Sequence, residues 1–357
     1  MTTSPAERAI HIEGVTRIFG PAPQQALAAL RGGMSKTELQ TETGHVVGLD
    51  DVSLDVAKGQ IHVVMGLSGS GKSTLIRHVN RLIEPTAGAI RVYGSNVLEM
   101  SREQLRAFRR TRVAMVFQKF GLLPHRSVLD NVGYGLEVRG VRRVEREAEA
   151  RKWIEIVGLA GYESALPRQL SGGQQQRVGL ARALALDTDI ILMDEAFSAL
   201  DPLIRSGMQD QLVSLQKTLS KTILFITHDF DEALKIGDRV AVLKDGAVQQ
   251  EGRPEDIVLN PANEHIEEFV RDVNKARAIR VRTIMETGPA EPCSIAVPAD
   301  ARCEDVLPLF AEHQWVGVLD AAGQQIGRVT ARRVIGALAR HGARPPAAAE
   351  PALEAAQ

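Results

Sequence analysis

Two cysteines in 357 residues, Cys293 and Cys303, are too few and too far apart for a disulfide framework or a zinc knuckle. They are expected to be thiols in a reducing compartment. No apolar run approaches the ~18 residues of a membrane span, although 44% of the chain is hydrophobic. Met1 to Gly14 has no apolar segment of the secretory kind, so the chain is expected to stay in the cytosol and to reach any membrane by docking. Neither sign of charge dominates. With 43 Lys plus Arg against 44 Asp plus Glu, the formal net charge of −1 excludes bulk attraction to nucleic acid. No internal repeat of solenoid or propeller length is present.

What is present is an alternation of strands and helices. Ile10 to Gly20 alternates like a strand and ends at a turn. Pro21 to Gly44 reads as a helical insertion, with Ser35 capping Lys36-Thr37-Glu38-Leu39, before strand character returns at Val46 to Leu49 and Val52 to Val56. From Gln60 to Val248 the pattern is that of a mostly parallel sheet covered by helices. Ile190 to Met193 and Ile223 to Ile226 are continuous apolar runs, as strands buried on both faces require. Gly121 to Leu170 reads as helix alone. A second unit begins near Val273, with strand 294–297, helix 303–312, strand 315–319, a turn, strand 325–329 and helix 331–340. Arg328, Arg332, Arg333 and Arg340 crowd its last strand and helix and are expected to form a basic face. The end, 341–357, is Ala, Pro and Glu rich and is expected to be disordered.

The chemistry is concentrated in Gly66-Leu67-Ser68-Gly69-Ser70-Gly71-Lys72-Ser73-Thr74. This G-x-x-x-x-G-K-[ST] loop follows the apolar run Ile61 to Met65 and opens a helix with Leu75, Ile76, Val79, Leu82 and Ile83 on its apolar side. Glycines let backbone N–H groups approach phosphate, and the new helix aims its positive end there. Lys72 supplies a charge for the β- and γ-phosphates, and Ser73 a hydroxyl for Mg²⁺. The chain is therefore expected to handle ATP or GTP. Asp194 and Glu195 end a buried strand, where the first can hold Mg²⁺ and the second can polarise a water. Gln118 ends the strand Val113 to Phe117, and His228 tops Ile223 to Thr227. Leu170-Ser171-Gly172-Gly173-Gln174-Gln175-Gln176-Arg177 opens another helix, a second phosphate-binding end.

On these motifs the chain resembles the ATP-binding subunits of ABC transporters, over roughly residues 10 to 270. The resemblance implies an α/β P-loop ATPase core at 1–272, with the insertion at 21–44 and a helical subdomain at about 121–180. It implies ATP and Mg²⁺ as cofactors. Catalytic roles fall on Glu195, His228, Gln118 and Lys72. Nucleotide contacts fall on Phe19, Gly66, Ser68, Gly69, Ser70, Gly71, Lys72, Ser73, Thr74, Ser171, Gly172, Gly173, Gln174 and Asp201, with Phe19 stacking on adenine, and metal contacts on Ser73, Gln118 and Asp194. It further implies a head-to-tail dimer with a second copy, in which the loop of one chain and the Ser171–Gln174 signature of the other clamp each ATP. Two membrane permease subunits, gripped by the segment from Phe117 to Asn131, an external solute-binding protein and no nucleic acid complete the partners, with the chain peripheral on the cytoplasmic face of the membrane.

Within that family the insertion, Met65 to Ser70, Asn80 to Thr86 and Leu123-Pro124-His125 look like the glycine betaine/proline betaine importers. Residues 273–340 are similar to one CBS unit, a small α+β module, with Arg333 standing where nucleotide-holding units place an Asp. An importer for another small solute such as choline or an amino acid is the alternative, followed by a soluble ABC ATPase acting on nucleic acid or ribosomes.

Overall fold

The computed structural model describes residues 8–198, 200–288 and 294–339. Chain contacts divide the protein into two compact units, Met1–Arg253 and Pro254–Gln357.

The first unit contains two sheets. One is antiparallel, with β1 (Arg8–Phe19) flanked by β2 (Val46–Ala57) and β4 (Ala87–Val92), and β5 (Ser95–Asn96) beside β4. The other has six strands in the order β10-β9-β3-β8-β7-β6, where β3 is Ile61–Met65, β6 Val113–Val116, β7 Ile190–Asp194, β8 Thr222–Thr227, β9 Arg239–Lys244 and β10 Ala247–Gly252. Five of these are parallel and β10 returns antiparallel to β9. A single parallel sheet was thus only part of the architecture. The two segments read as separate strands at 46–49 and 52–56 are one strand, kinked where Asp51 takes a φ of +51° and the register with β1 shifts.

Two helices, α1 (Pro23–Arg31) and α2 (Lys36–Thr43), fill the insertion between β1 and β2. Then α3 (Lys72–Val79) follows β3; it stops at Asn80, and Arg81 turns to a φ of +52°, so Leu82 lies outside the helix and half exposed rather than on its apolar face. Next come α4 (Arg102–Thr111), α5 (Val128–Val138), α6 (Arg143–Ile156), α7 (Gly172–Ala185), α8 (Pro202–Leu219) and α9 (Phe230–Ile236). One buried cluster spans both sheets and α3: it includes Ile10, Ile12, Leu54 and Val56 of the antiparallel sheet, Leu75, Ile76 and Val79 of α3, and Val64, Leu192, Leu224 and Ile226 of the parallel sheet. Each such fully buried aliphatic side chain contributes roughly 1.5–3 kcal/mol, which fixes α3 and hence the loop before it.

The register of the parallel sheet assembles the site. Met65 lies opposite Thr227, Asp194 opposite Ile226 and Val116 opposite Met193, so the residues just after each strand come out along one carboxyl edge. Ligands bind there in open α/β sheets.

The second unit opens with α10 (Pro254–Leu259), α11 (Glu264–Val270), α12 (Lys275–Ala278) and α13 (Val281–Ile284). It therefore starts before the expected boundary at 272/273, because α10 and α11 pack with each other and α10 with α12. Its sheet has the order β11-β14-β13-β12, from β11 (Glu286–Thr287), β12 (Ala296–Pro298), β13 (Trp315–Leu319) and β14 (Gln325–Thr330), with α14 (Cys303–Val306) and α15 (Ala331–Ala339) beside it. The helix expected at 303–312 breaks into α14 and a 3₁₀ turn at Leu307–Ala311, where Pro308 supplies no N–H to the α-helical ladder. The expected basic face is partly neutralised, because Glu286 pairs with both Arg328 (3.1 Å) and Arg333 (3.2 Å). Arg340, Cys293 and the 341–357 tail lie outside the described residues.

Candidate functional site

The loop from Gly66 to Gly71 is shaped by glycines that nothing else could replace. Gly66 has a φ of +150° and a Cβ there would sit 2.1 Å from the Leu243 carbonyl oxygen; Gly71 has a φ of +100° and a Cβ would sit 2.5 Å from that of Gly48. Lys72 opens α3 and is buried, its Nζ donating to the Gly66 and Leu67 carbonyls at 2.8 Å each. Desolvation holds its pKa below the usual lysine range, opposed by the nearby charges of Glu195 and Asp194. The Ser70 hydroxyl oxygen is buried with no partner. Here is a backbone cradle with a buried cation and an orphaned hydroxyl, which fits the phosphates of a nucleotide.

Beside the cradle, the Ser73 hydroxyl donates to Asp194 Oδ1 at 2.8 Å, and Asp194 is fully buried at the end of β7. Arg77, one turn along α3, donates to Asp194 Oδ2 at 3.1 Å. Two oxygen donors so placed suit a hard divalent cation that keeps waters and phosphate oxygens as its other ligands. Among the described residues no group of three or more His, Cys, Asp or Glu could hold a metal without such help.

Glu195 is forced into the left-handed region (φ +47°) and its backbone N–H is held by the Ile226 carbonyl at 3.1 Å. A non-glycine residue held there costs on the order of 1 kcal/mol, a strain that concentrates at functional positions. Gln118 Nε2 donates to Glu195 Oε2 at 2.8 Å, and His228 Nδ1 lies 3.7 Å from the same oxygen. Gln118, expected on the metal as well as the water, therefore faces Glu195. The structure brings together the loop, Gln118, Asp194, Glu195 and His228.

Phe19 ends β1 half exposed. Its ring edge lies where a Cβ on Gly48 would be 2.6 Å away, and the Arg17 guanidinium covers the ring at 4.7 Å. Since the Gly48 carbonyl also touches Gly71, Phe19 stands one residue away from the phosphate cradle. The signature is elsewhere. Ser171 caps α7, its Oγ accepting from Gln174 N while Gln174 Oε1 accepts from Ser171 N, and the nearest groups to Gly172 and Gly173 are Phe120 and Leu200. Asp201 caps α8 by accepting from Ile204 N at 3.0 Å; Ala199, two residues before it, is outside the described residues.

The model of the ABC transporter family matches residues 49–198. Relatives include the glycine betaine transport ATP-binding protein OpuAA of Bacillus subtilis, 53% identical over 78% of this chain and 66% of its own length. The trimethylamine N-oxide transport system ATP-binding protein TmoW of Ruegeria pomeroyi is 48% identical over 88% of this chain and 95% of its own. The chain belongs to the ABC transporter ATP-binding family. Among solved structures, a dimeric ATP-binding cassette in a post-hydrolysis state with ADP and Pi is 31% identical with a TM-score of 0.59, covering 68% of this chain and 98% of that one. Among relatives whose names mention betaine, the proline betaine and glycine betaine protein ProV of Salmonella typhimurium is 48% identical over 78% of this chain and 70% of its own length. As an ABC transporter ATPase the protein binds and hydrolyses ATP, and among its described residues no helix is long and apolar enough to cross a membrane.

Two features of this ATPase's site were not read from the sequence. Arg77 sits one turn after Lys72, on the face that meets β7, and only the fold reveals that Asp194 is its partner. The second is the turn between β9 and β10. Asp245 and Gly246 have φ values of +50° and +77°, the geometry of a two-residue hairpin turn, and Gly246 N donates to the Ser70 carbonyl at 3.1 Å, so this turn backs the phosphate cradle. Asp-Gly between Val242-Leu243 and Ala247-Val248 was the available signal.

Proposed function

We propose that this ATPase powers import of a small quaternary amine, glycine betaine or proline betaine, through a membrane transporter. The observation that carries the reading is the set of relatives at 48–53% identity whose names specify glycine betaine or proline betaine transport. One observation favours trimethylamine N-oxide instead: the relatives named for that solute match over 95–96% of their own length, against 66–70% for the betaine relatives. Glycine betaine and trimethylamine N-oxide both carry a nitrogen with three methyl groups. In the producing cell, deletion of this subunit should abolish uptake of labelled glycine betaine; abolished uptake of trimethylamine N-oxide with betaine uptake intact would select the second reading, and loss of neither would refute both.

In this reading the cradle of Gly66, Ser68, Gly69, Ser70 and Gly71 and the N-terminus of α3 with Ser73 and Thr74 surround the phosphates, while Lys72 exchanges its two loop carbonyls for phosphate oxygens. Ser73 and Asp194 would hold Mg²⁺, which would neutralise charge developing on the phosphates. Glu195 takes the proton of the attacking water; Gln118 orients the carboxylate, and His228, 3.7 Å from that carboxylate, would contact the γ-phosphate. Gln118 donates to one oxygen of Glu195, which leaves the other free in this reading to take the proton. Phe19 presents a ring face to adenine.

The separation of the signature from the cradle within one chain supports a second copy completing each site. Ser171, Gly172, Gly173 and Gln174 of one copy then meet the nucleotide of the other, with Asp201 near the shared surface. For permease subunits, the supporting feature is a cavity of about 310 Å³ lined by Phe117, Leu123, Tyr134, Val138 and Leu186 together with Arg109, Arg110 and Arg182. A peripheral place on the cytoplasmic face follows from such partners, and a solute-binding protein would act only through them. The unit with β11–β14 is a CBS-like module on this reading.

A further inference from the structure

The insertion between β1 and β2 has no part in the mechanism above, yet one of its side chains reaches the segments behind the phosphate cradle. Lys36 Nζ donates to the Asp245 carbonyl at 2.7 Å and lies 2.8 Å from Asp50 Oδ2. Asp50 N in turn donates to the Gly246 carbonyl at 2.9 Å, and Gly246 N to the Ser70 carbonyl at 3.1 Å. These three backbones touch without side chains between them: a Cβ on Gly246 would lie 3.0 Å from the Gly48 carbonyl oxygen, and one on Gly71 2.5 Å from it. Lys36 therefore clips the Asp245–Gly246 turn to β2 at the point where both support the loop.

The position of Lys36 is itself specified. It is the first residue of α2, whose start is fixed by the reciprocal bonds of Ser35 and Glu38. The helix is held down by Leu39, which packs with Ile18, Ala26 and Leu27. The far end is closed by His45, whose Nε2 accepts from Ala22 N, leaving Nδ1 to face the Thr43 hydroxyl. A cation in the first turn of a helix is opposed by the helix dipole. An ordinary exposed pair would contribute little to stability, but the Lys36 side chain is only about one-third exposed and joins two segments at once. A locally unfavourable residue in a specified place points to a role beyond the helix.

We propose that Lys36 is a positioning residue for ATP: the insertion acts as a strut that holds the Asp245–Gly246 turn against β2 and so keeps the phosphate cradle preorganised before nucleotide arrives. The proposal rests on the nucleotide reading of the cradle. It predicts an effect on ATP binding rather than on the chemical step.

The test uses the full chain with Lys36→Met, Lys36→Arg and Asp50→Asn: a fluorescent ATP analogue reads binding in a Glu195→Gln background, and steady-state ATP turnover is read with Glu195 intact. Lys36→Met should raise the dissociation constant about fivefold or more, the lower end of typical coupling between sites, and should raise KM by the same factor with kcat within about twofold. Lys36→Arg should restore binding, and Lys36→Met with Asp50→Asn together should be no worse than Lys36→Met alone, because both remove one contact. Should Lys36→Met fold poorly, Asp50→Asn alone carries the test, with the same split between KM and kcat. Unchanged affinity, or a fall in kcat at constant KM, would overturn the strut. A wild-type chain that bound the analogue no better than a Lys72→Ala control would overturn the nucleotide reading itself, which is a distinct outcome.

Discussion

His62 lies in β3, the strand that delivers the phosphate cradle, fully buried with neither ring nitrogen partnered. Burial, with a smaller contribution from the charge of Arg239, pushes its pKa from 6.5 down to about 3. The folded chain therefore keeps the ring neutral, while the unfolded chain protonates it below about pH 6.5. Because the unfolded state binds more protons between those values, this residue's contribution is complete above pH 6.5 and is lost as the pH falls toward 3. At about 1.4 kcal/mol per pH unit, the first unit should lose about 2 kcal/mol from this group alone between pH 6.5 and 5. His78, also buried and also depressed, and the paired carboxylates add losses of the same sign, so the comparison must be with a variant. His62→Leu keeps the size of the side chain and removes two unsatisfied polar atoms, and should be more stable than the parent by about 1–3 kcal/mol at pH 7.5. Urea denaturation of both proteins carrying Trp315→Phe, followed by the fluorescence of buried Trp153, reads the first unit. The gap between the two should widen by about 2 kcal/mol from pH 7.5 to 5. Parallel pH profiles would refute the burial argument.

Glu195→Gln should leave ATP affinity unchanged and cut turnover by about 10² to 10⁴-fold, because the amide oxygen still accepts from Gln118 but takes no proton; phosphate release within about threefold of wild type would remove Glu195 from the chemistry. Gly66→Ala should abolish ATP binding with the second unit intact, since its methyl would collide with the Leu243 backbone; equilibrium dialysis with ATP checks this, and near-normal binding would mean that the loop can move aside.

The contiguous motifs were legible because their meaning is local. A glycine loop between an apolar strand and a helix, or two carboxylates ending a buried strand, has few other structural uses. The capping box at Ser35 and Glu38 and the start of α7 at Ser171 were readable for the same reason. What escaped was pairing at a distance. β4, Ala87-Gly88-Ala89-Ile90-Arg91-Val92, carries small residues that suit close approach to β1 but weaken its strand signal. The cradle's backing comes from Asp245–Gly246, far along the chain, and the charge on Asp194 is balanced by Arg77, whose reach depends on how α3 packs between the sheets. The basic face expected of the last strand and helix is partly neutralised at Arg328 and Arg333, which the sequence did not reveal because Glu286 comes from an element whose two residues carry no strand signal of their own.

The central claim is that one copy's phosphate cradle and another's signature form each ATP site. In a Glu195→Gln background, Lys72→Ala chains have no working cradle and Ser171→Arg chains no working signature, so neither should dimerise with ATP alone. Mixed, they should form ATP-dependent heterodimers by size-exclusion chromatography, since one of the two sites then has both parts intact. Mixtures that remain monomeric under conditions where the Glu195→Gln parent dimerises would contradict the account.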